Sequence, residues 1–323
     1  MSVLTVAALY ERKRELLQLE NVGSPEGMSR EITVGEAQSP GLALTGWTGR
    51  FLHHRLQVIG ETEVMYLNAL RPEERARVIE HLFSFPLPCV FVTKNQELPQ
   101  GLVDAAMRTR TAMFRSRLKT AEFYRKLNPY LEYEFAPTVN VHGSLADVFG
   151  VGLLFTGISG IGKSECVLDL VERGHRLVAD DVVLVRQRGT DVLIGRGHEM
   201  QQHHMEIRGV GLIHVPAIFG IHAVRQQKRI EVVVRLEPWD AAAAVDRTGL
   251  DGHTTTILDV ELPLIIVRLN PGKNITVVAE VIAMNHLLHY SGGLTTAESF
   301  NEKLIGRMRK VSDVRRYLEE DEE

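Results

Sequence analysis

The sequence predicts an α/β protein in two domains, an amino-terminal α/β domain over residues 1–131 and a second domain over residues 132–323. Three observations carry this. At 323 residues the chain is longer than one hydrophobic core comfortably serves. Up to about residue 131 helical and extended patterns alternate, and beyond it strands and glycine turns take over. In the second domain a glycine-rich run, Gly157 to Ser164, lies between an apolar strand and a helix.

In order along the chain, residues 4–19 show helical periodicity with a charged face, and residues 31–34 and 50–59 read as short strands. Pro72 with Glu73 and Glu74 behind it predicts a helix over 72–83, because proline suits a first turn and carboxylates suit its positive end. Residues 89–93 form a short buried strand and 98–107 a helix. Arg108, Arg110, Arg115 and Arg117 make a basic run. Such a run ordinarily solvates a loop and a helix face, with anion binding as the alternative. Residues 116–133 predict one amphipathic helix, interrupted near Asn128-Pro129.

The second domain continues with strands at 138–142, 145–148 and 151–155, the last two joined by a turn at Phe149-Gly150. A helix covers 169–173. Further strands are predicted at 177–179, 182–186, 192–194, 231–236, 264–269 and 275–278. Helices at 279–290 and 297–310 flank Ser291-Gly292-Gly293.

Composition narrows the function classes. There are 37 basic and 41 acidic side chains, a net charge of −4, so nothing points to a nucleic-acid backbone as partner. The terminal run Glu319, Glu320, Asp321, Glu322 and Glu323 accounts for that deficit. Two cysteines, Cys89 and Cys166, cannot build a disulfide framework or a four-cysteine zinc site. No stretch reaches the roughly 18 uninterrupted apolar residues that a bilayer span needs, and no signal-peptide pattern opens the chain. A cytoplasmic protein is expected.

Gly157-Ile158-Ser159-Gly160-Ile161-Gly162-Lys163-Ser164 fits G-x-x-x-x-G-K-[ST]. Glycines let successive N–H groups converge on phosphate oxygens, and the following helix adds its positive end. Lys163 would reach the β- and γ-phosphates and Ser164 would offer a hydroxyl to Mg²⁺. Downstream, Leu177-Val178-Ala179-Asp180-Asp181 puts two carboxylates at the end of an apolar strand. Neighbouring strand residues face opposite sides, so one could serve the metal and the other accept a proton. No Asn-Lys-x-Asp segment follows, which disfavours GTP. His198, His203, His204, His286 and His289 lack cysteine partners or an H-E-x-x-H spacing, which leaves them as polar loop and helix faces. His142, ending a strand shortly before the loop, could meet the γ-phosphate. Such a loop is also compatible with a small-molecule kinase and with a non-catalytic nucleotide-sensing module.

The run from Gly157 to Asp181 resembles the signature of the HPr kinase/phosphorylase family, and Met205-Glu206-Ile207-Arg208-Gly209 resembles its second signature. Val141-His142-Gly143, Asp246-Arg247, Asn270 to Asn274 and Ala283-Met284-Asn285 extend the likeness. The resemblance implies a second domain like the nucleotide-binding fold of phosphoenolpyruvate carboxykinase. It implies ATP-dependent phosphorylation of a serine on the phosphocarrier protein HPr, reversal by phosphorolysis to pyrophosphate, and a hexamer. Carried over, Gly157, Ile158, Ser159, Gly160, Ile161, Gly162, Lys163 and Ser164 would hold the ATP phosphates, and Ser164 and Glu206 the Mg²⁺. Asp181 would be general base and acid, with His142, Lys163 and Arg247 completing the site. Arg268, Leu269, Asn270, Pro271, Gly272 and Lys273 would form the dephosphorylation segment. The family's Pro-Gly-Arg-Asn is here Pro-Gly-Lys-Asn, a point charge in place of a bidentate fork.

Overall fold

The computed structural model describes residues 4–198, 202–239, 252–269 and 274–290. It divides into two compact units, Met1–Ala136 and Pro137–Glu323.

The first unit is built on a five-stranded sheet in the order Leu19–Asn21, Ala112–Ser116, Cys89–Val92, Leu56–Ile59, Ala37–Gln38. All neighbours are parallel except the first pair. A central parallel strand is covered on both faces and so reads as an unbroken apolar run. Cys89, Val90, Phe91 and Val92 are all buried. Phe91 packs with Phe114 and Phe123 in one core, and Val90 and Val92 join Ile59 and Met113 in the other.

Several elements differ from the sequence expectation for local reasons. The first helix is only Val6–Lys13, capped by Thr5, whose Oγ1 accepts the Ala8 N–H at 3.2 Å. Gln18 turns left-handed, φ 51°, and the chain continues as the strand Leu19–Asn21. The apolar run before Leu56 forms turns, leaving Leu56–Ile59 as the strand. The helix expected over 116–133 begins later, at Thr120, after the strand Ala112–Ser116, and runs through Pro129 to Phe135. Pro129 is exposed, as is Arg125, whose carbonyl loses its helical partner to the proline. The basic run is spread over several elements, with Arg108 on Glu80, Arg110 on Glu26 and Arg115 on Glu20. That is a solvated surface.

The second unit has three layers. A six-stranded sheet has the order Arg176–Ala179, Ser144–Val148, Val151–Thr156, Val232–Pro238, Val260–Leu269, Thr254–Ile257. Its three strands Val151–Thr156, Val232–Pro238 and Val260–Leu269 are parallel. The helices Lys163–Glu172 and Ile275–Tyr290 cover one face, enclosing Leu153, Phe155, Val167, Leu170, Ala279 and Ala283. The other face packs on a four-stranded antiparallel sheet, Gln227–Arg229, Val192–Gly197, Val182–Arg188 and Thr138–His142, through Leu145, Leu154, Val183, Val185 and Leu193. Phe149 and Gly150 turn the hairpin with φ 52° and 86°, the positive pair that a two-residue hairpin loop requires.

Residues 275–278, expected as a strand, open the helix Ile275–Tyr290. The β-branched run Ile-Thr-Val-Val is overruled by a cap, since Asn274 Oδ1 accepts the Val277 N–H at 3.1 Å. The expected helix 297–310 lies outside the described residues.

A proline inside a helix costs about 3 kcal/mol relative to alanine. Its restriction of the unfolded chain returns roughly 0.4–1 kcal/mol. Pro129→Ala is therefore expected to stabilise the protein by about 2 kcal/mol. Circular-dichroism melting checks this, and a lowered midpoint would contradict it.

Candidate active site

The parallel strand Val151–Thr156 delivers the chain to Gly157, whose φ is 139°. A Cβ there would lie 2.5 Å from the Leu236 carbonyl oxygen on the neighbouring strand, so only glycine lets the loop leave the sheet at this point. Gly160 and Gly162 are also left-handed. The helix Lys163–Glu172 follows with no side chain capping its first turn, so its leading N–H groups can bind an anion. Lys163 is buried, and its Nζ donates to the Gly157 and Ile158 carbonyls at 3.1 Å each. Ile158, Ser159 and Gly160 are exposed at the tip, and Ile161 packs back onto the core.

Two chain crossings between the sheets bring the remaining groups alongside. At His142–Gly143–Ser144 the chain passes from the four-stranded to the six-stranded sheet, and at Asp180–Asp181 it returns. The Gly143 N–H donates to the Asp181 carbonyl at 3.0 Å, locking the crossings together. Asp180 is buried, and its Oδ1 accepts the Ser144 hydroxyl at 2.5 Å and the Ser164 hydroxyl at 2.9 Å. Burial pushes its carboxyl above the ordinary aspartate value, opposed by these hydrogen bonds. Asp181 faces outward with a left-handed φ of 65°, inside a three-residue turn closed by the Val182 N–H on the Asp180 carbonyl. Such a conformation is costly for a non-glycine residue. His142 Nδ1 stands 3.3 Å from Asp181 Oδ1.

The hairpin His204–Ile207 and Gly211–His214 supplies the far wall. Met205 and Ile207 enter the core, so strand alternation turns Glu206 outward. The Arg208 guanidinium lies over Gly160, where a Cβ would come within 2.2 Å of Nη2. His142, Lys163, Ser164, Asp180, Asp181, Glu206 and Arg208 thus line one cleft of about 200 Å³.

Of the predicted residues, those from Gly157 to Ser164 with His142, Asp181 and Glu206 come together. Arg268 and Leu269 end the strand Val260–Leu269, parallel to the loop's own side of the sheet, with Arg268 Nε 3.6 Å from Glu237 Oε2. Arg247, Asn270, Pro271, Gly272 and Lys273 lie outside the described residues. The sequence distinguishes no separate role for Asp180, and neither Ser144 nor Arg208 stands out in it. The tandem Asp-Asp hinted at the first, and Arg208 stands inside the second signature. Ser144 carries no sequence signal. Among the described residues no cluster of three or more His, Cys, Asp or Glu suits a metal ion. The donor set in the cleft is instead a hydroxyl and carboxylates, oxygens that fit an ion keeping several waters and substrate phosphates.

A glycine loop at the carboxyl end of a parallel strand, a helix start behind it and paired carboxylates opposite define a phosphate-loop protein equipped for phosphoryl transfer. Residues 4–131 match the family described as HPr Serine kinase N terminus, and residues 133–304 that described as HPr Serine kinase C-terminal domain. A protein named HPr kinase/phosphorylase from Prosthecochloris aestuarii is 42% identical over 99% of this chain and 96% of its own. One of the same name from Bacillus subtilis is 40% identical over 90% and 93%. A solved structure titled as the Hpr(Ser) kinase/phosphatase from Coxiella burnetii is 33% identical, covering 48% of this chain and 93% of that one with a TM-score of 0.45. The chain belongs to the HPr kinase/phosphorylase family, and it is an enzyme. Among the described residues no helix is long and apolar enough to cross a membrane.

The raised Asp180 carboxyl carries a stability signature. The folded state holds this proton more tightly than the unfolded chain, so ionisation costs stability as pH rises through the unfolded and then the folded value. Asp180→Asn removes that cost. Its melting temperature relative to wild type, without divalent ions, should be higher at pH 8 and converge with wild type towards pH 4. The opposite trend would show that the charged form is the favoured one in the fold.

Proposed function

We propose that this enzyme uses ATP and Mg²⁺ to phosphorylate a serine of HPr, and removes that phosphate by phosphorolysis, as a cytoplasmic homohexamer. The observation that supports it is the convergence of the loop cation Lys163, the Ser164–Asp180 pair and the outward Asp181–His142 pair on one cleft. Residues 132–323 would carry the catalysis. Gly157, Ile158, Ser159, Gly160, Ile161, Gly162, Lys163 and Ser164 would hold the ATP phosphates. Ser164 and Glu206 would hold Mg²⁺, with Asp180 orienting the Ser164 hydroxyl. Mg²⁺ would supply charge neutralisation at the phosphates.

In the forward direction the serine Oγ attacks the γ-phosphorus, the bond to the ADP oxygen breaks, and Asp181 takes the serine proton. His142 holds the carboxylate in place from 3.3 Å. In the reverse direction an oxygen of inorganic phosphate attacks the phosphorus of phosphoserine. The P–Oγ bond breaks, Asp181 returns the proton to Oγ, and the product is pyrophosphate. Arg247 and the segment Arg268, Leu269, Asn270, Pro271, Gly272 and Lys273 would hold the attacking phosphate, a matter of position and charge.

Incubation with ATP, Mg²⁺ and HPr, followed by mass spectrometry, should place one phosphate on an HPr serine; unmodified HPr would refute the reading. Asp181→Asn should lower both directions by about 100-fold or more, the range for a lost general base. Lys273→Ala should depress phosphorolysis far more than phosphorylation, and equal losses would remove the segment from the reverse reaction. For the assembly, light scattering should give a hexamer that survives removal of residues 319–323, since five like charges gain nothing from burial.

A further inference from the structure

The helix Lys163–Glu172 ends in a Schellman arrangement. Gly174, φ 96°, donates to the Val171 carbonyl at 3.0 Å and His175 to the Leu170 carbonyl at 3.0 Å. This turn gathers Arg173 and His175 on one carboxylate, Glu280 of the helix Ile275–Tyr290. Arg173 donates from Nε to Oε1 at 2.8 Å and from Nη2 to Oε2 at 2.7 Å, and His175 Nε2 lies 3.1 Å from Oε1. His175 is 7% and Glu280 13% exposed, with the Phe149 ring edge-on to the imidazole at 4.6 Å. The guanidinium holds the Glu280 carboxyl below its ordinary range.

A second contact lies one turn earlier, where the buried Thr276 hydroxyl donates to Asp169 Oδ2 at 3.3 Å. Asp169 and Arg173 are four apart on one helix, and Thr276 and Glu280 four apart on the other. The helices therefore run parallel along one seam. Ala279 and Ala283, both buried, belong to the core that the two helices enclose against the sheet. A slip of one residue, about 1.5 Å along the axis, would break both contacts and strand a largely buried carboxylate, which is strongly unfavourable.

Each helix starts beside a piece of the proposed chemistry. Lys163 and Ser164 open the first. Asn274 caps the second and directly follows Lys273 in the chain. We propose that the Arg173–Glu280–His175 clamp is a positioning device for the phosphorolytic direction, setting the register of the helix that begins after Lys273 against the helix that begins at Lys163. Glu280 touches no reacting atom. The inference rests on the function proposed above and adds a part to it.

The test compares Glu280→Ala, Arg173→Gln and Arg173→Lys with wild type. The readouts are KM for inorganic phosphate in phosphorolysis of phosphoserine-HPr, KM for ATP in phosphorylation, and the melting temperature. Glu280→Ala and Arg173→Gln should raise KM for phosphate by about tenfold while KM for ATP stays within about twofold, as for a misplacement felt at one substrate only. Arg173→Lys, which keeps the charge and loses the fork, should fall between. Unchanged constants, or equal changes in both directions, would overturn the clamp. Should Glu280→Ala fail to fold, Arg173→Gln decides alone, because the Arg173 side chain is 49% exposed. A wild-type protein with neither activity would overturn the proposed function itself, an outcome distinct from active wild type with unaltered variants.

Discussion

Asp180 Oδ1 accepts two hydroxyl hydrogen bonds, and the cleft end of the second unit is arranged around that shared acceptor. Ser144 reaches it from the edge of the six-stranded sheet and Ser164 from the first turn of the phosphate-loop helix. A buried charge of this kind is tolerable only while its partners stay in place. Displacing the helix by even part of a turn would leave the carboxylate with one hydroxyl, so its desolvation enforces the alignment of loop and sheet.

From this follows the division between Asp180 and Asp181. Adjacent residues at the point where a chain changes sheets face opposite ways, and the neighbouring crossing at His142–Gly143–Ser144 faces them with a matching pair. Ser144 meets Asp180 inside, and His142 meets Asp181 outside. The Gly143–Asp181 backbone hydrogen bond holds the two crossings in register. Gly143 has no room for more, since a Cβ would lie 2.4 Å from the Phe155 carbonyl oxygen.

The parts visible in the sequence are those governed by short-range rules. Pro72–Phe83 is legible to the residue because its start is written in proline and two glutamates, and the glycine loop because its backbone demands glycine. Where the prediction failed, a distant or contextual interaction decided. The run Ile275 to Val278 looks extended, yet Asn274 and the buried Thr276–Asp169 contact make it helical. Pro129 looks like a break, yet it lies on a wet face. Ser144 is one of many serines, and its hydrogen bond to a residue 36 positions away has no local signature.

Lys163 has a further consequence. Its ammonium already holds two carbonyls of its own loop, at Gly157 and Ile158, so an incoming phosphate does not meet a bare cation. It has to exchange for those acceptors, and the carbonyls must then turn to water. Ligand affinity at this loop is thus a net difference between two satisfied arrangements. A singly charged anion would have little to offer in such an exchange, whereas the proposed polyphosphate would meet the lysine and the helix N–H groups together. On the function proposed above, the loop would therefore act as a threshold that sorts anions by charge and reach.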